Sequence, residues 1–343
     1  MRLLLLVCFI FFVFVSLHAQ QQAKVGCIGF YNLENLFDTE DDPLIDDSEY
    51  LPTGSKLWTT EMYESKLNRM AEVIVQVGTE VTPDGLALLG VAEVENRKVL
   101  EDLVKNPIIA PRNYDIVHYD SPDARGIDVG LLYQKKYFTV TNSKPLPVIL
   151  FNADSTRRYT RDILLVSGLF DGDTLHVLVN HWPSRSGGEE ASRPYREKAS
   201  SVAKSAVDSL MNSNMNAKII IMGDLNDDPV SSSIRKVLEC KRDVAKIKQG
   251  DLYNPMEDLY KRGIGTLAYQ DAWNLFDQLI ISSGLVQPVG GYQFYKTQIF
   301  NKPFMVQKEG QFKGYPLRTH AGSNYLGGYS DHFPVYLFLV KRL

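Results

Sequence analysis

Residues 327–340 read GGYSDHFPVYLFLV. An acid and an imidazole, Asp331 and His332, stand at the N-terminal mouth of an apolar run whose branched and aromatic content predicts a buried strand. Asp277 stands in the same relation to the run QLIIS at 278–282. Elsewhere the order is reversed. Asn32 follows VGCIGFY, Glu93 follows LALLGVA, His181 follows LHVLVN, and Asp224 and Asn226 follow AKIIIMG. One site built from all of these requires the last two strands to run opposite to the others. The sheets are then mixed or antiparallel, which excludes a doubly wound parallel sheet.

The runs VGLLY and ILLVSGLF add further strands. Strands this apolar need cover on both faces, from helices or from a second sheet. Tyr63, Leu67, Met70, Ile74 and Val77 recur at helical spacing, as do Ala199, Val202, Ala203, Ala206 and Leu210. A shorter helix is predicted after Pro229, with Ile234, Val237 and Leu238 facing inward. The stretch 282–329 is rich in Gly, Tyr, Phe and Lys and predicts only short strands. Its end, PLRTHAGSNYLGGYSDH, is placed to form one wall of a site.

The first residues, MRLLLLVCFIFFVFVSLHAQ, carry one Arg, an unbroken apolar run and then the small residue Ala19. That order predicts a secretory signal peptide over residues 1–19 and a secreted or periplasmic product. The run is short for a span and lacks a basic flank, so no stable membrane span is expected once the leader is gone. Cys27 and Cys240 are the only thiols after the leader, too few for a disulfide framework. Both lie in apolar segments and read as buried thiols, with a single bridge between them left open. One catalytic domain over 25–341 is expected, working as a monomer. With 37 basic and 41 acidic residues the formal charge is −4, which argues against coating nucleic acid through bulk charge.

Several carboxylates converging on one spot repel unless a cation neutralises them. Oxygen donors from Asp, Glu and Asn favour a hard ion such as Mg²⁺, with Mn²⁺ as a substitute. Two imidazoles beside it can move protons near neutral pH. A carboxylate such as Asp277 can orient one of them. That set suits attack of water on phosphorus.

The elements FYNLEN, VAEVEN, RGIDVGLLY, VNHWPSR, IIIMGDLNDDP, DQLII and GGYSDHFPV together resemble the endonuclease/exonuclease/phosphatase superfamily. Pancreatic deoxyribonuclease, abasic-site endonucleases, sphingomyelinases and inositol-polyphosphate 5-phosphatases belong to it. The resemblance implies a four-layer α/β sandwich: two mixed β-sheets packed face to face, with helices on the outside. It implies Glu93 as principal metal carboxylate, with Asn32 and Asp331 beside the same ion. It implies that Asp277 orients His332, that His332 and His181 face the phosphate, and that Asp224 and Asn226 position phosphate and water or leaving group, with the general base either His332 paired with Asp277 or Asp224. Ala92 stands where the family commonly has Gln. RGIDVGLLY occupies a region where relatives place a Tyr or Glu beside the phosphate; Arg125 or Asp128 is the substitute here. Arg185 is the candidate for holding phosphate oxygens. Arg193 and Arg196 read instead as helix-surface charge, and Arg161 and Arg318 as weaker candidates.

The expected activity is hydrolysis of a phosphodiester, with nucleic acid as substrate and an endonuclease as the enzyme, by in-line attack of water. The alternative is a phosphatase or phospholipase-like hydrolase acting on inositol phosphates or phospholipid headgroups. A non-catalytic binding protein is disfavoured because every element keeps its chemical residues. A calcineurin-type dinuclear site is disfavoured because GFYNLEN supplies no Asp-x-His.

Overall fold

The computed structural model describes residues 22–343. The leader expected at 1–19 lies outside the described residues. In chain order the main strands are β1 Ala23–Leu36, β2 Leu86–Val94, β3 Tyr114–His118, β4 Asp128–Gln134, β5 Phe138–Leu146 and β6 Ile163–Phe170. They continue with β7 Asp173–His181, β8 Ile219–Asp224, β9 Leu252–Tyr253, β10 Asp277–Ser282, β11 Gln293–Ile299 and β12 Val335–Arg342. The long helices are α1 Thr60–Ile74, α2 Arg97–Lys105 and α3 Glu189–Ser213, and Glu257–Lys261 and Ser283–Val286 form short ones.

Two six-stranded sheets result, ordered β11-β12-β1-β2-β4-β3 and β9-β10-β8-β7-β6-β5. Each is mixed. In the first, β1 and β2 are parallel while β12 pairs antiparallel with β1. In the second, β7 and β8 are parallel while β10 pairs antiparallel with β8. The opposed direction of the last two site-bearing strands is therefore as the sequence predicts.

Period-two alternation sorts the side chains into layers. Ile28 and Phe30 of β1, Ile220 and Met222 of β8, and Leu337 and Leu339 of β12 meet in one core between the sheets. Tyr31, Tyr336 and Phe338 point the other way, to α1 and α2. Ile219 and Ile221 pack beneath α3. The order is helix, sheet, sheet, helix. At Gly90 a Cβ would sit 2.5 Å from the Met222 sulfur, so glycine permits the sheets to approach there.

The short helix expected after Pro229 is a wide turn at Ser233–Val237, with Ile234 and Leu238 buried and Val237 half-buried. Cys27 and Cys240 are free, buried and in different cores. Among the described residues no helix is long and apolar enough to cross a membrane.

Candidate active site

Strand ends deliver the polar groups to one rim of the sandwich. β1 brings Asn32, β2 Glu93, β7 His181 and β8 Asp224; β10 begins with Asp277, and Asp331 and His332 immediately precede β12. Pairing fixes the register, with Asp224 opposite both His181 and Asp277. A bulge between Ala92 and Val94 re-aims Glu93, whose φ is +58°. Glu34, Asn35 and Asn226 also take positive φ. Left-handed backbone costs about 1 kcal/mol or more per non-glycine residue, so this clustering marks strain held at the rim.

Asp224 lies at the centre. Its Oδ2 accepts from Asn32 Nδ2 at 3.1 Å and its Oδ1 from the Asn226 amide at 2.9 Å. The same Oδ2 lies 3.6 Å from His181 Nε2 and 3.8 Å from His332 Nε2. His332 Nδ1 meets Asp277 Oδ2 at 2.7 Å. Ser330 ties this corner to the first sheet, since its hydroxyl donates to Asn32 O and accepts from the His332 amide. His181 Nε2 also faces Glu93 Oε1 at 3.8 Å. Glu93 Oε2 accepts the Asn35 amide at 3.0 Å, and Arg125 reaches Oε1 at 3.5 Å. Asp331 is held by Arg318 and lies 4.0 Å from His332 Nε2.

Burial and charge set the protonation states. Burial pushes Asp224 up to about 6, with the His332 charge pulling it down and Asp277 and Glu93 adding to the rise. Burial alone disfavours the charged form of His332, but Asp277 and Asp224 outweigh it and hold the ring well above its usual value. His181 moves the other way, depressed by burial and then by Arg161, Arg125 and His332. Partial desolvation pushes Asp331 up, yet the His332 and Arg318 charges outweigh it and hold the carboxyl below its usual range.

The remaining sequence candidates divide. Arg125 reaches the cluster. Arg185 does not: its guanidinium lies over Phe276, donates to Asn226 O at 3.0 Å and pairs with Asp228 at 3.1 Å and Glu189 at 2.9 Å. It braces the Asn226 turn. Asp128 is buried against His118 at 3.0 Å and the Ser121 hydroxyl at 2.5 Å. Asn226 turns its amide to Trp182 O. Arg196, expected on the helix surface, is fully buried and pairs with Asp227 at 2.7 Å. The correction has a simple cause, since α3 lays that face on the loop after β8.

Three supporting residues carry more weight than the sequence suggests. Arg161 is buried and donates to His181 O and Trp182 O while pairing with Asp123. Arg318 joins Asp331 to Glu34. Lys66 is buried, donates to Tyr329 O at 2.7 Å and to Thr319 Oγ1, and lies 3.9 Å from Glu34. Its signal was present: Lys66 falls on the apolar stripe of α1, three residues after Tyr63 and four before Met70.

Glu93, Asn32 and Asp331 offer two carboxylates and an amide oxygen. The Glu93 and Asp331 side chains keep 13% and 31% exposure, leaving room for water. That donor set fits a hard divalent cation.

A four-layer sandwich with carboxylates and imidazoles gathered at one rim has the architecture of the deoxyribonuclease-like fold. The model of the Endonuclease/Exonuclease/phosphatase family matches residues 27–341, and the chain belongs to that family. Its enzymes hydrolyse phosphoesters with the help of divalent metal. No curated protein matches the sequence. Among solved structures, humanized TDP2 of D. rerio is similar at 14% identity with a TM-score of 0.55, covering 92% of this chain and 98% of that one. A family member from Bacteroides thetaiotaomicron gives 15% and 0.53, covering 94% and 100%. A mannosyl-6-phosphatase of the same organism gives 14% and 0.51, covering 92% and 99%. At these identities the likeness is one of fold.

Proposed function

We propose that this protein is a divalent-metal-dependent phosphoester hydrolase using Mg²⁺, or Mn²⁺ in its place, in which water attacks phosphorus in line. The observation that carries the reading is the convergence of the Asp277–His332 pair and His181 on one oxygen of Asp224. Asp224, ionised above about pH 6, takes the proton of the attacking water. His332 stays protonated beside Asp277 and Asp224 and stabilises charge growing on the phosphate oxygens. His181, neutral and held through its backbone by Arg161, binds the phosphate from the other side. Glu93, Asn32 and Asp331 would hold the hard cation, which when bound would neutralise charge and polarise a phosphate oxygen. The P–O bond to the leaving group breaks as the new P–O bond forms, without a covalent enzyme intermediate.

The substrate expected from sequence is a nucleic acid. A polynucleotide track needs cations free for phosphates. Around this rim Arg125 faces Glu93, Arg318 faces Asp331, Arg185 faces Asp228, and Lys56 lies 3.7 Å from Glu49. This favours the phosphatase side of the alternative, widened here from inositol phosphates to small phosphoesters. The structural neighbours include both a mannosyl-6-phosphatase and a TDP2 complexed with single-strand DNA product, so they favour neither substrate. The test is a panel of supercoiled plasmid and small phosphomonoesters, with EDTA and with Mg²⁺ restored. Activity that survives EDTA contradicts the metal-dependent reading. Plasmid nicking without monoester turnover returns the substrate to nucleic acid.

A further inference from the structure

A groove of about 370 Å³ opens beside Asp331 and Arg318. The reading above leaves it unused. Its walls come from a small hairpin, Leu267–Tyr269 with Ala272–Asn274, and from the loop carrying Phe312 and Tyr315. The two walls are fastened together. The Asp271 amide donates to the Tyr315 hydroxyl at 2.7 Å, which donates back to Asp271 Oδ1 at 2.7 Å. The hairpin is tied to the catalytic pair as well, because Thr266 O, just before its first strand, accepts the Phe333 amide next to His332. Trp273 stacks on Phe333 behind the hairpin.

The chemistry of the walls selects an occupant. Tyr269 is 66% exposed and Phe312 39%, offering apolar ring faces. Gln270, Gln307 and Gln311 offer neutral donors and acceptors. Arg318 is the only cation among the described lining residues, and Asp331 and Glu34 already neutralise it. A second phosphate finds no partner here. The volume, against about 30 Å³ for a water, accommodates one ring with its substituents.

We propose that this groove binds the organic part of the substrate, a neutral ring with an apolar face and a hydrogen-bonding edge, carried on the phosphate held between His181 and His332. The inference rests on the phosphoesterase reading. A sugar ring and a nucleobase share that chemistry, and the substrates separate them.

Kinetic constants of wild type, Tyr269→Ala and Phe312→Ala are measured on glucose 6-phosphate, adenosine 5′-monophosphate and the ringless glycerol 3-phosphate. Each variant is expected to lower the ratio of kcat/KM for the preferred ring phosphate to that for glycerol 3-phosphate by roughly tenfold, through KM. The preferred ring phosphate identifies the source. An unchanged ratio in both variants overturns the proposal. A turnover-independent arm uses the metal-free protein. Trp273 is 38% exposed while Trp58 and Trp182 are at 1%, so its fluorescence reports the hairpin. A saturable change on titrating the ring phosphates, lost in Tyr269→Ala, is expected. A flat titration to millimolar concentration overturns the groove assignment. Binding without turnover of any of the three, and with no plasmid nicking, sinks the hydrolase reading and leaves the groove standing.

Discussion

The two sheets make the same frame and use it differently. In each, two parallel strands end at the rim and an antiparallel neighbour begins there: β1, β2 and β12 in one, β8, β7 and β10 in the other. The first frame carries Asn32, Glu93 and Asp331, whose acids face Arg125 and Arg318 and remain partly exposed. The second carries Asp224, His181 and Asp277. Its two acids are at 4% and 1% side-chain exposure, and imidazoles are what they face across the rim. Asp331, flanked by Arg318 and His332, stays ionised and available to a cation. Asp224, desolvated, is raised to about 6 and is poised to exchange a proton. His332 bridges the frames, since it belongs to the first by sequence and to Asp277 of the second by hydrogen bond. The lesson is that solvent access divides one geometry into a metal-binding pole and a proton-handling pole.

The division can be broken at its centre first. His332→Ala and Asp224→Asn are each expected to lower kcat by about 10³-fold while circular dichroism stays near wild type. Near-normal turnover in either removes that residue from the mechanism. Next, the poles are separable by metal. Glu93→Gln should lose roughly 10²-fold at low Mg²⁺ and recover part of it as Mg²⁺ rises, whereas Asp277→Asn should lose a similar factor that Mg²⁺ does not restore. Equal rescue of both would falsify the division.

A smaller effect is expected from Arg318→Ala, about tenfold in the metal concentration for half-maximal activity, because Asp331 loses the partner that orients it. The smallest concerns stability. Burial raises Glu34 to about 7, and burial with Asp38, Asp47 and Asp42 raises Glu95 to about 8. Both lie above the unfolded value of about 4.3. The folded state then binds more protons than the unfolded state up to about pH 8, so stability drops as pH rises. The raised His332 adds a contribution fully present below about pH 6.5 and lost above it. The depressed His181, His176 and His320 oppose it below about 6.5, where unfolding takes up their protons. Melting in EDTA should therefore peak near pH 6 and fall by a few degrees toward pH 8. Glu95→Gln should flatten the alkaline fall; an unchanged slope in that variant refutes the assignment.

Much of the frame was legible because long apolar runs announce strands and the polar residues at their ends have a direction. What escaped was short or weakly apolar. α2 spans nine residues and buries only Val99, Leu100 and Leu103. β5 buries only Phe138 of its nine residues, and is a strand because β6 offers it an edge. Lys66 was hidden inside an apolar stripe, where a charge reads as an exception. Arg185 and Asp128 have the right chemical type and the right neighbourhood in sequence, but nearer partners claim them.

From the chain alone came the kinds of group and the strand ends that carry them, since these depend on residue type and on periodicity over a few neighbours. Tertiary structure alone decided which acid meets which base and who keeps the proton. Charge–charge energies and desolvation follow distance through space, and Asp277 and His332 become neighbours only when the two sheets close on one another.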